Sequence, residues 1–233
     1  MSGYQLLTRP DSQPKAVKGQ KKGYMTFVLH LAPSDLSGFN VCPNAGGCKV
    51  ACLNKAGRGG FDPRVQVARI RKTRWYFADR EAFMAALYKD IAKAIRYAEK
   101  KGFVAAFRLN GTSDIPWHRM GVMDAFPAVQ FYDYTKVAKR LTRETLPVNY
   151  HLTFSLAEDN ESAARTVLAA GGNVAAVFRD KATRSRYMQT GFLDAPVVDG
   201  DETDLRFLDP AGSVVGLFAK GPAKHDHSGF VRD

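Results

Sequence analysis

The regular alternation of β-rich segments with amphipathic helical segments is the feature that most limits the fold of this chain. Beyond residue 23, stretches rich in β-branched and aromatic residues are separated by stretches whose apolar residues recur every three or four positions. Such an alternation calls for a mainly parallel sheet with helical crossovers, that is, an α/β protein. About five or six β/α units favour a partial (β/α) TIM-like barrel over an open doubly wound sheet. The predicted strands are 26–31, 103–109, 128–134, 149–156 and 173–180.

The clearest helical pattern ends at Gly102, a residue type that commonly follows the last turn of a helix. Its apolar positions are Phe83, Leu87, Ile91, Ala94, Ile95 and Ala98. Pro63 stands where an earlier helix is predicted to begin, and helices are also predicted at 136–146 and 160–171. In the last of these, Asn160 is the predicted N-cap. The final β segments are predicted at 195–201, 204–209 and 213–221.

The charge of the chain is strongly positive, with a formal net charge of +11 at pH 7. The excess is concentrated in residues 9–22 and 64–74, which indicates either a solubilising surface or contacts with nucleic-acid or nucleotide phosphates. We expect residues 1–23 to form a basic, extended or partly disordered arm. Residues 24–221 are predicted to form a single α/β domain, and residues 222–233 a polar C-terminal tail.

The sequence also bears on location. It contains no run of about 18 apolar residues, and its first residues lack the pattern of a secretory signal. A clustered, odd number of cysteines argues against an extracellular disulfide framework. We therefore expect a cytoplasmic protein without a membrane partner, and the pattern favours no particular oligomeric state.

Polar residues collect where the predicted strands end. They are Arg108, Asn110, Ser113, Asp114, Asp133 and His151. Because active sites of α/β proteins gather at the carboxyl ends of the strands, we expect these side chains to line one edge. The structural alternative is a satisfied core histidine at His151 and a turn-forming Asp114. On the functional interpretation, Arg108, Asp133 and His151 are the candidate catalytic residues on the substrate side.

All three cysteines of the chain, Cys42, Cys48 and Cys52, fall within eleven positions of a glycine-punctuated loop after the strand 26–31. Three thiols cannot all pair into disulfides. A structural zinc ion needs four ligands and is usually held by C-x2-C pairs, whereas this loop reads C-x5-C-x3-C. Zinc would need a further ligand such as a histidine, and inert buried thiols are another interpretation.

An iron–sulfur cluster suits the spacing better, because its cysteine ligands bind separate irons at the corners of a cube and must be splayed apart. Loop glycines leave backbone N–H groups free to donate to the sulfides. Cys42, Cys48 and Cys52 would then leave the fourth iron of a [4Fe–4S] cluster open to a substrate or cofactor. The alternatives are a histidine, an aspartate or water at that iron, or a three-iron cluster.

Several stretches resemble a family of bacteriophage and prophage proteins, the gene eighty-eight family. They are LAPSDLSGFNVCPNAGGCKVACLNKAGRG, RLNGTSDIPW, DGDETDLRFLD and VVGLFAKG. The resemblance covers most of the chain. It implies a phage origin, and hence the host cytoplasm as the location, but it implies no established chemistry.

The order of strand, cysteine loop, helices, strand and turn is also similar to that of radical S-adenosylmethionine enzymes. In those enzymes, three cysteines after the first strand of a partial barrel hold a [4Fe–4S] cluster. The resemblance implies that adenosylmethionine binds the open iron and that Asn110, Ser113 and Asp114 hold this ligand. The chain differs from that superfamily in its cysteine spacing and in having no Gly-Gly-Glu motif in the turn 110–114.

Two classes of function follow as hypotheses. The first is an iron–sulfur protein with radical-type chemistry, in which the cofactor carries the difficult step. The second is a non-catalytic nucleic-acid-binding protein whose iron–sulfur or zinc site is structural and whose basic segments contact phosphates. A zinc-stabilised phage accessory module is a third variant.

Overall fold

The computed structural model describes residues 5–8, 14–50, 52, 54 and 61–233. Within them the chain is a mixed α/β protein with nine strands, most of them parallel to their neighbours, and with helical crossovers. The predicted fold class is therefore confirmed. Among the described residues, no strand pairing closes the sheet into a barrel, so the partial barrel stays a prediction.

The chain divides into two compact units, which are described separately. Unit 1 comprises Met1–Pro43, Pro63–Asp133 and Pro147–Tyr150. Unit 2 comprises Asn44–Asp62, Tyr134–Leu146 and His151–Asp233.

Unit 1 is organised around parallel strands. They are β2 (Tyr24–Leu29), β3 (Val104–Arg108) and the first four residues of β4 (Gln130–Thr135). The short strand β1 (Leu7–Thr8) pairs antiparallel with β2. The helices of unit 1 are α1 (Pro14–Gln20), α2 (Pro63–Ala78) and α3 (Arg80–Lys100). The cysteine loop thus follows β2, the first of the parallel strands.

The core of unit 1 follows from strand register. Phe27, Phe107 and Phe131 lie side by side on β2, β3 and β4. Their ring centroids are 5.6 and 5.4 Å apart in sequence order. The predicted apolar stripe of α3 is confirmed, since Phe83, Leu87, Ile91, Ala94 and Ala98 are buried. The helix begins at Arg80 because the Asp79 side chain accepts the Ala82 N–H at 3.0 Å.

Unit 2 carries the remaining elements in an alternating order. They are α4 (Lys139–Thr142), β5 (Tyr150–Ser155, all but its first residue), α5 (Glu161–Ala169), β6 (Asn173–Phe178), α6 (Lys181–Thr190), β7 (Val197–Asp199), β8 (Val214–Phe218) and β9 (Val231–Arg232). The strand order is β5-β6-β8-β7, and the pairings β5–β6, β6–β8 and β7–β8 are all parallel. β9 pairs with β6 at Val177 and Phe178, beyond the residues that β5 covers.

Some predicted elements of unit 2 differ from the structure. The helix expected at 136–146 is confined to α4, and the strand expected at 204–209 is a 3-10 turn, Arg206–Leu208. Its alternating pattern was misleading because Arg206 is fully buried, not solvent-facing. Asn160 occupies the predicted N-cap position of α5, but its side chain makes no capping bond, because it accepts the Ala157 N–H and donates to Ser155 O.

The predicted arm differs from the expectation of an extended chain. Its residues 14–20 form α1, which begins at a proline as helices often do. Residues 1–4 and 9–13 of the arm lie outside the described residues. At the other end, residues 222–233 contain a 3-10 turn and β9. Among the described helices, none has the length and apolar character that crossing a bilayer requires.

Candidate functional site

The turn after β3 is organised by the side chain of Asn110, which is 3% exposed. Its Oδ1 accepts hydrogen bonds from the Ser113 hydroxyl at 2.8 Å, the Ile115 N–H at 2.9 Å and the Trp117 indole N–H at 3.1 Å. Its Nδ2 donates to the Ile115 carbonyl at 2.9 Å. Asn110 therefore fixes the shape of the turn from within, and Ser113 is part of the same network.

Asp133 is the buried acid of this network. It is fully buried on β4, and its Oδ1 accepts the Asn110 N–H at 2.7 Å. The Tyr150 hydroxyl donates to its Oδ2 at 3.1 Å. Burial raises the pKa of Asp133 to about 7, although the Asn110 N–H and the charge of Arg108 act in the opposite direction. Near neutral pH this carboxyl can therefore exchange a proton.

The same turn is bound to the chain around the first cysteine. The Thr112 hydroxyl donates to Leu31 O at 2.5 Å, and the Asp114 N–H donates to Val41 O at 2.8 Å. The Cys42 thiol itself lies 3.7 Å from Thr112 O. Within unit 1 the structure thus brings the predicted turn and the predicted metal ligand Cys42 together.

His30 packs against Gly111 of this turn. A Cβ on Gly111 would lie 2.5 Å from its Nδ1, so the glycine permits the close approach. Burial, followed by the charges of Arg69, Arg108 and Lys72, holds the pKa of His30 well below its usual value. The imidazole is therefore neutral at physiological pH, in a strongly positive environment. Burial also lowers the pKa of Lys72 to about 8.

In unit 2 the Gly46-Gly47 pair of the cysteine loop lies against Glu158. The Gly47 N–H donates to Glu158 Oε1. A Cβ on Gly46 would lie 2.6 Å from Oε1, and a Cβ on Gly47 would lie 2.9 Å from Oε2. Gly46 also has a φ of 48°, a conformation that disfavours side chains. The two glycines are therefore explained by the carboxylate packed against them.

Cys48 follows directly, in the 3-10 turn Gly46–Lys49. Burial raises the pKa of its thiol, Lys136 lowers it, and Cys52 and Glu158 raise it further. Cys48, Cys52 and Glu158 therefore share one electrostatic environment. The Asn54 N–H lies 3.4 Å from the Cys52 sulfur and donates to it.

The C-terminal segment completes this environment. A Cβ on Gly47 would lie 2.6 Å from the Ser228 hydroxyl oxygen, and a Cβ on Gly229 would lie 3.6 Å from Glu158 Cβ. The Lys136 ammonium lies 5.0 Å from the centre of the Phe230 ring. Because β9 pairs with β6 beyond the end of β5, this segment runs beside the chain that leaves β5.

The predicted catalytic histidine lies elsewhere in unit 2. His151 is the second residue of β5, so it lies at the amino end of that strand and not at its carboxyl end. Its Nε2 is 3.4 Å from the Thr153 hydroxyl. Burial lowers the pKa of His151 to about 4, and the charge of Arg206 contributes. The side chain is therefore neutral at physiological pH.

The structure thus groups Asn110, Ser113 and Asp133 in direct contact, while Arg108 and Asp114 act on Asp133 through their charges. Sequence reasoning did not identify Tyr150 or Glu158. Glu158 follows the end of β5, so its position just beyond a strand was the available signal.

None of the three cysteines forms a disulfide, and all three are half-buried. Among the residues that the structure describes, no three or more His, Cys, Asp or Glu side chains converge as ligands of one metal ion. A single-ion site is therefore not preformed there. The groups around Cys48 and Cys52 nevertheless suit a cluster chemically, because they supply two free thiols, an N–H donor to sulfur and a nearby lysine.

The acidic segment near the end of the sequence forms an ion-pair network in unit 2. Arg184 on α6 lies 2.5 Å from Asp199 and 3.0 Å from Asp201, and Lys220 lies 2.5 Å from Asp201. Asp201 also accepts the Phe218 N–H at 3.2 Å. These contacts tie α6 to the ends of β7 and β8, which indicates a structural role for this part of the sequence.

Comparison with known proteins places the chain in a family. No curated protein and no solved structure matches it. The family model described as Gene product 88 matches residues 5–233, which is nearly the whole chain, and this match confirms the likeness to a phage protein family. The similarity to radical S-adenosylmethionine enzymes has no support in these comparisons. The chain belongs to the Gene product 88 family.

Proposed function

We propose that this chain is a phage iron–sulfur protein that binds a [4Fe–4S] cluster through Cys42, Cys48 and Cys52, with no cysteine on the fourth iron. The observation that carries the proposal is a set of three half-buried thiols, none of them in a disulfide, within eleven residues of chain. An odd number of thiols at this spacing suits a cluster whose ligands are splayed. The bound cluster would supply one-electron chemistry.

The immediate surroundings of the cysteines support this function. The Asn54 N–H already donates to the Cys52 sulfur, as backbone N–H groups do around cluster thiolates. Burial raises the pKa of the Cys48 thiol, and the positive charge of Lys136 offsets part of this rise. In unit 1, the turn 110–114 contacts the first cysteine and the residue before it, because the Asp114 N–H donates to Val41 O and the Cys42 thiol lies 3.7 Å from Thr112 O.

Radical-type chemistry with adenosylmethionine is the more specific form of the proposal, on a sheet that closes as a partial barrel. In this form Asn110 and Ser113 would act by holding the turn in shape, because their side chains bond to each other and to the turn. Asp114 would face the ligand. Asp133 would exchange a proton with the substrate, and Arg108 stays a substrate-side candidate, whereas His151 lies at the amino end of β5.

The experiment is anaerobic purification and reconstitution of the full chain, followed by iron and sulfide analysis. We expect about four irons per chain, brown protein and a loss of iron in C42S, C48S and C52S. V50A is the matched control, since Val50 lies in the same loop and is exposed. Colourless wild-type protein with stoichiometric zinc would contradict the proposal. Release of 5′-deoxyadenosine on reduction with adenosylmethionine tests the more specific form.

One face of α2 favours nucleic-acid binding as a second candidate, with the cluster or a zinc ion in a structural role. Arg64, Val67, Arg71 and Arg74 follow one another at helical spacing and are exposed. The neighbouring Lys72 is buried and bonds to Leu6 O, and Tyr76 is buried in an aromatic cluster, so neither is available to a nucleic acid. Phosphate contacts by the three arginines would bind without reading sequence.

Binding to single- and double-stranded oligonucleotides at several salt concentrations tests this candidate. R71Q combined with R74Q should weaken binding and reduce the slope of log affinity against log salt by about two. K89Q combined with K93Q, on α3, removes the same charge elsewhere and serves as the control. An equal effect of both double variants would exclude a specific role of α2.

A further inference from the structure

One carboxylate oxygen of Glu158 is buried and has no hydrogen-bond partner among the described residues, although buried carboxylates are normally hydrogen-bonded. Its Oε1 accepts the Gly47 N–H, but its Oε2 is shielded from solvent and has no hydrogen-bond partner among the described residues. A buried carboxylate oxygen left in this state is costly unless it binds a cation or a metal. This oxygen therefore points to a ligand that completes its coordination.

The surroundings of that oxygen belong to the cysteine loop. A Cβ on Gly47 would lie 2.9 Å from Oε2, so the oxygen is packed against the residue that precedes Cys48. Glu158 and Cys52 both act electrostatically on the Cys48 thiol. All of these residues belong to unit 2, and two of them are cysteines to which the cluster is assigned.

The close fit of the Glu158 carboxylate against the cysteine loop depends on residues without side chains. Two consecutive residues, Gly46 and Gly47, lack the Cβ atoms that would displace the carboxylate. A Cβ on Gly229, in the C-terminal segment, would lie 3.6 Å from Glu158 Cβ, so this glycine lies beside the base of the side chain. Gly46 and Gly47 thus leave room for the carboxylate without satisfying Oε2.

We propose that Glu158 supplies the fourth, non-cysteine ligand of the cluster through Oε2. This inference rests on the proposed function. Carboxylate oxygen is an established donor to metals alongside cysteine sulfur and histidine nitrogen. Cys42, Cys48, Cys52 and Glu158 then complete the four positions of a cubane. A substrate or cofactor at that iron would have to compete with the Glu158 carboxylate.

A cluster whose fourth iron lacks a protein ligand loses that iron more readily on mild oxidation, leaving a three-iron cluster with a distinct paramagnetic resonance signal. The test follows this conversion after ferricyanide addition in reconstituted wild type, E158Q, E158A and D159N. Asp159 is the neighbouring exposed acid, so D159N is the control for a change of charge. We expect E158Q and E158A to convert about tenfold faster or more than wild type, and D159N to match wild type.

E158Q separates a ligand from a positioning residue. Glutamine retains an oxygen that accepts the Gly47 N–H and has the same size, so a purely positioning role predicts wild-type conversion in E158Q. Such a result would overturn the inference while leaving the cluster in place. Equal acceleration in E158Q and D159N would overturn it as well. Failure of wild type to take up iron and sulfide would remove the proposed function itself, which is a different outcome.

An added small thiol gives a second measurement. It should alter the resonance signal of the reduced cluster in E158Q, where the fourth iron is open, and should leave wild type unchanged at the same concentration. An identical response in both proteins would contradict the assignment of Glu158. This readout depends on coordination alone and requires no knowledge of a substrate.

Discussion

Asn110 and Asp133, 23 positions apart in sequence, are joined by a hydrogen bond of 2.7 Å from the Asn110 backbone N–H to Asp133 Oδ1. The bond links the turn after β3 to β4 within unit 1. Its acceptor is fully buried, and the Tyr150 hydroxyl and the Asn110 side-chain amide both donate to the other oxygen of the same carboxyl. The pair therefore couples the shape of the turn to the protonation of one buried acid.

The first prediction concerns the pH dependence of D133N. The pKa of Asp133 is about 7 in the folded chain and near 3.8 without burial, so the folded state binds more protons between these values. Asp133 therefore makes the free energy of unfolding fall as pH rises from about 4 to about 7, by about 1.4 kcal/mol per pH unit at most. D133N should remove this slope.

Denaturant unfolding of wild type and D133N at several pH values measures this difference. D124N changes an exposed aspartate and should keep the wild-type slope. A constant difference between wild type and D133N over the whole range would show that Asp133 does not titrate near pH 7.

The second prediction concerns His151, whose effect has the opposite sign. Its pKa is about 4 in the folded chain and 6.5 without burial, so the unfolded state binds more protons between these values. Its stabilising contribution is complete above about pH 6.5 and is lost as pH falls towards 4. H151Q should therefore be less sensitive to acid over this window.

Unfolding curves of wild type and H151Q between pH 4 and 7 check this expectation, with H225Q as the control at an exposed histidine. Nuclear magnetic resonance titration of the ring should find His151 neutral at pH 6. Protonation near the ordinary histidine value would contradict the effect of burial.

The sequence predicted correctly those elements that are marked by a local pattern of residues. The apolar stripe of α3 is visible at three- and four-residue steps, and Gly102 and Gly171 mark helix ends through positive φ angles of 77° and 80°. The turn 110–114 was also placed correctly after β3. These signals are local, so no tertiary contact is needed to read them.

The remainder depended on contacts distant in sequence. α6 has no apolar stripe because its buried residue is Arg184, which is neutralised by Asp199 and Asp201. The strand predicted at 204–209 was wrong because Arg206, too, is a buried arginine in a position that the pattern assigns to solvent. Glu158 gains its importance only from Gly46 and Gly47, more than a hundred residues earlier, and no periodicity reports such a pairing.

The third prediction compares two ion pairs of unit 2. D201N removes a charge that is shared by the buried Arg184 and by Lys220, and it should lower the free energy of unfolding by about 3 kcal/mol. D194N removes the exposed partner of Arg165 and should lower the free energy of unfolding far less, because solvent screens that pair. Chemical denaturation of both variants at neutral pH gives the comparison. Equal costs would show that burial of Arg184 does not govern the energy of its pairs.

The fourth prediction addresses the fit between the cysteine loop and the C-terminal segment. In G47A the new methyl group would lie 2.6 Å from the Ser228 oxygen and 2.9 Å from Glu158 Oε2, so we expect a loss of about 1–3 kcal/mol from overpacking. S228A combined with G47A should recover part of this loss. Thermal unfolding of the two single variants and the double variant measures the coupling, and strict additivity would show that residues 47 and 228 do not touch.

The pairing of β9 with β6 has a consequence for the order in which the protein is made. Ser228 lies beside Gly47, Gly229 lies beside Glu158, and Val231 pairs with β6. All three leave the ribosome long after the cysteines at 42, 48 and 52. Since chains emerge from the amino end, residues 228–231 cannot pack beside the cysteine loop until they have themselves been made. Under the function proposed above, iron and sulfide would thus have a period of access to the thiols that ends when β9 pairs with β6.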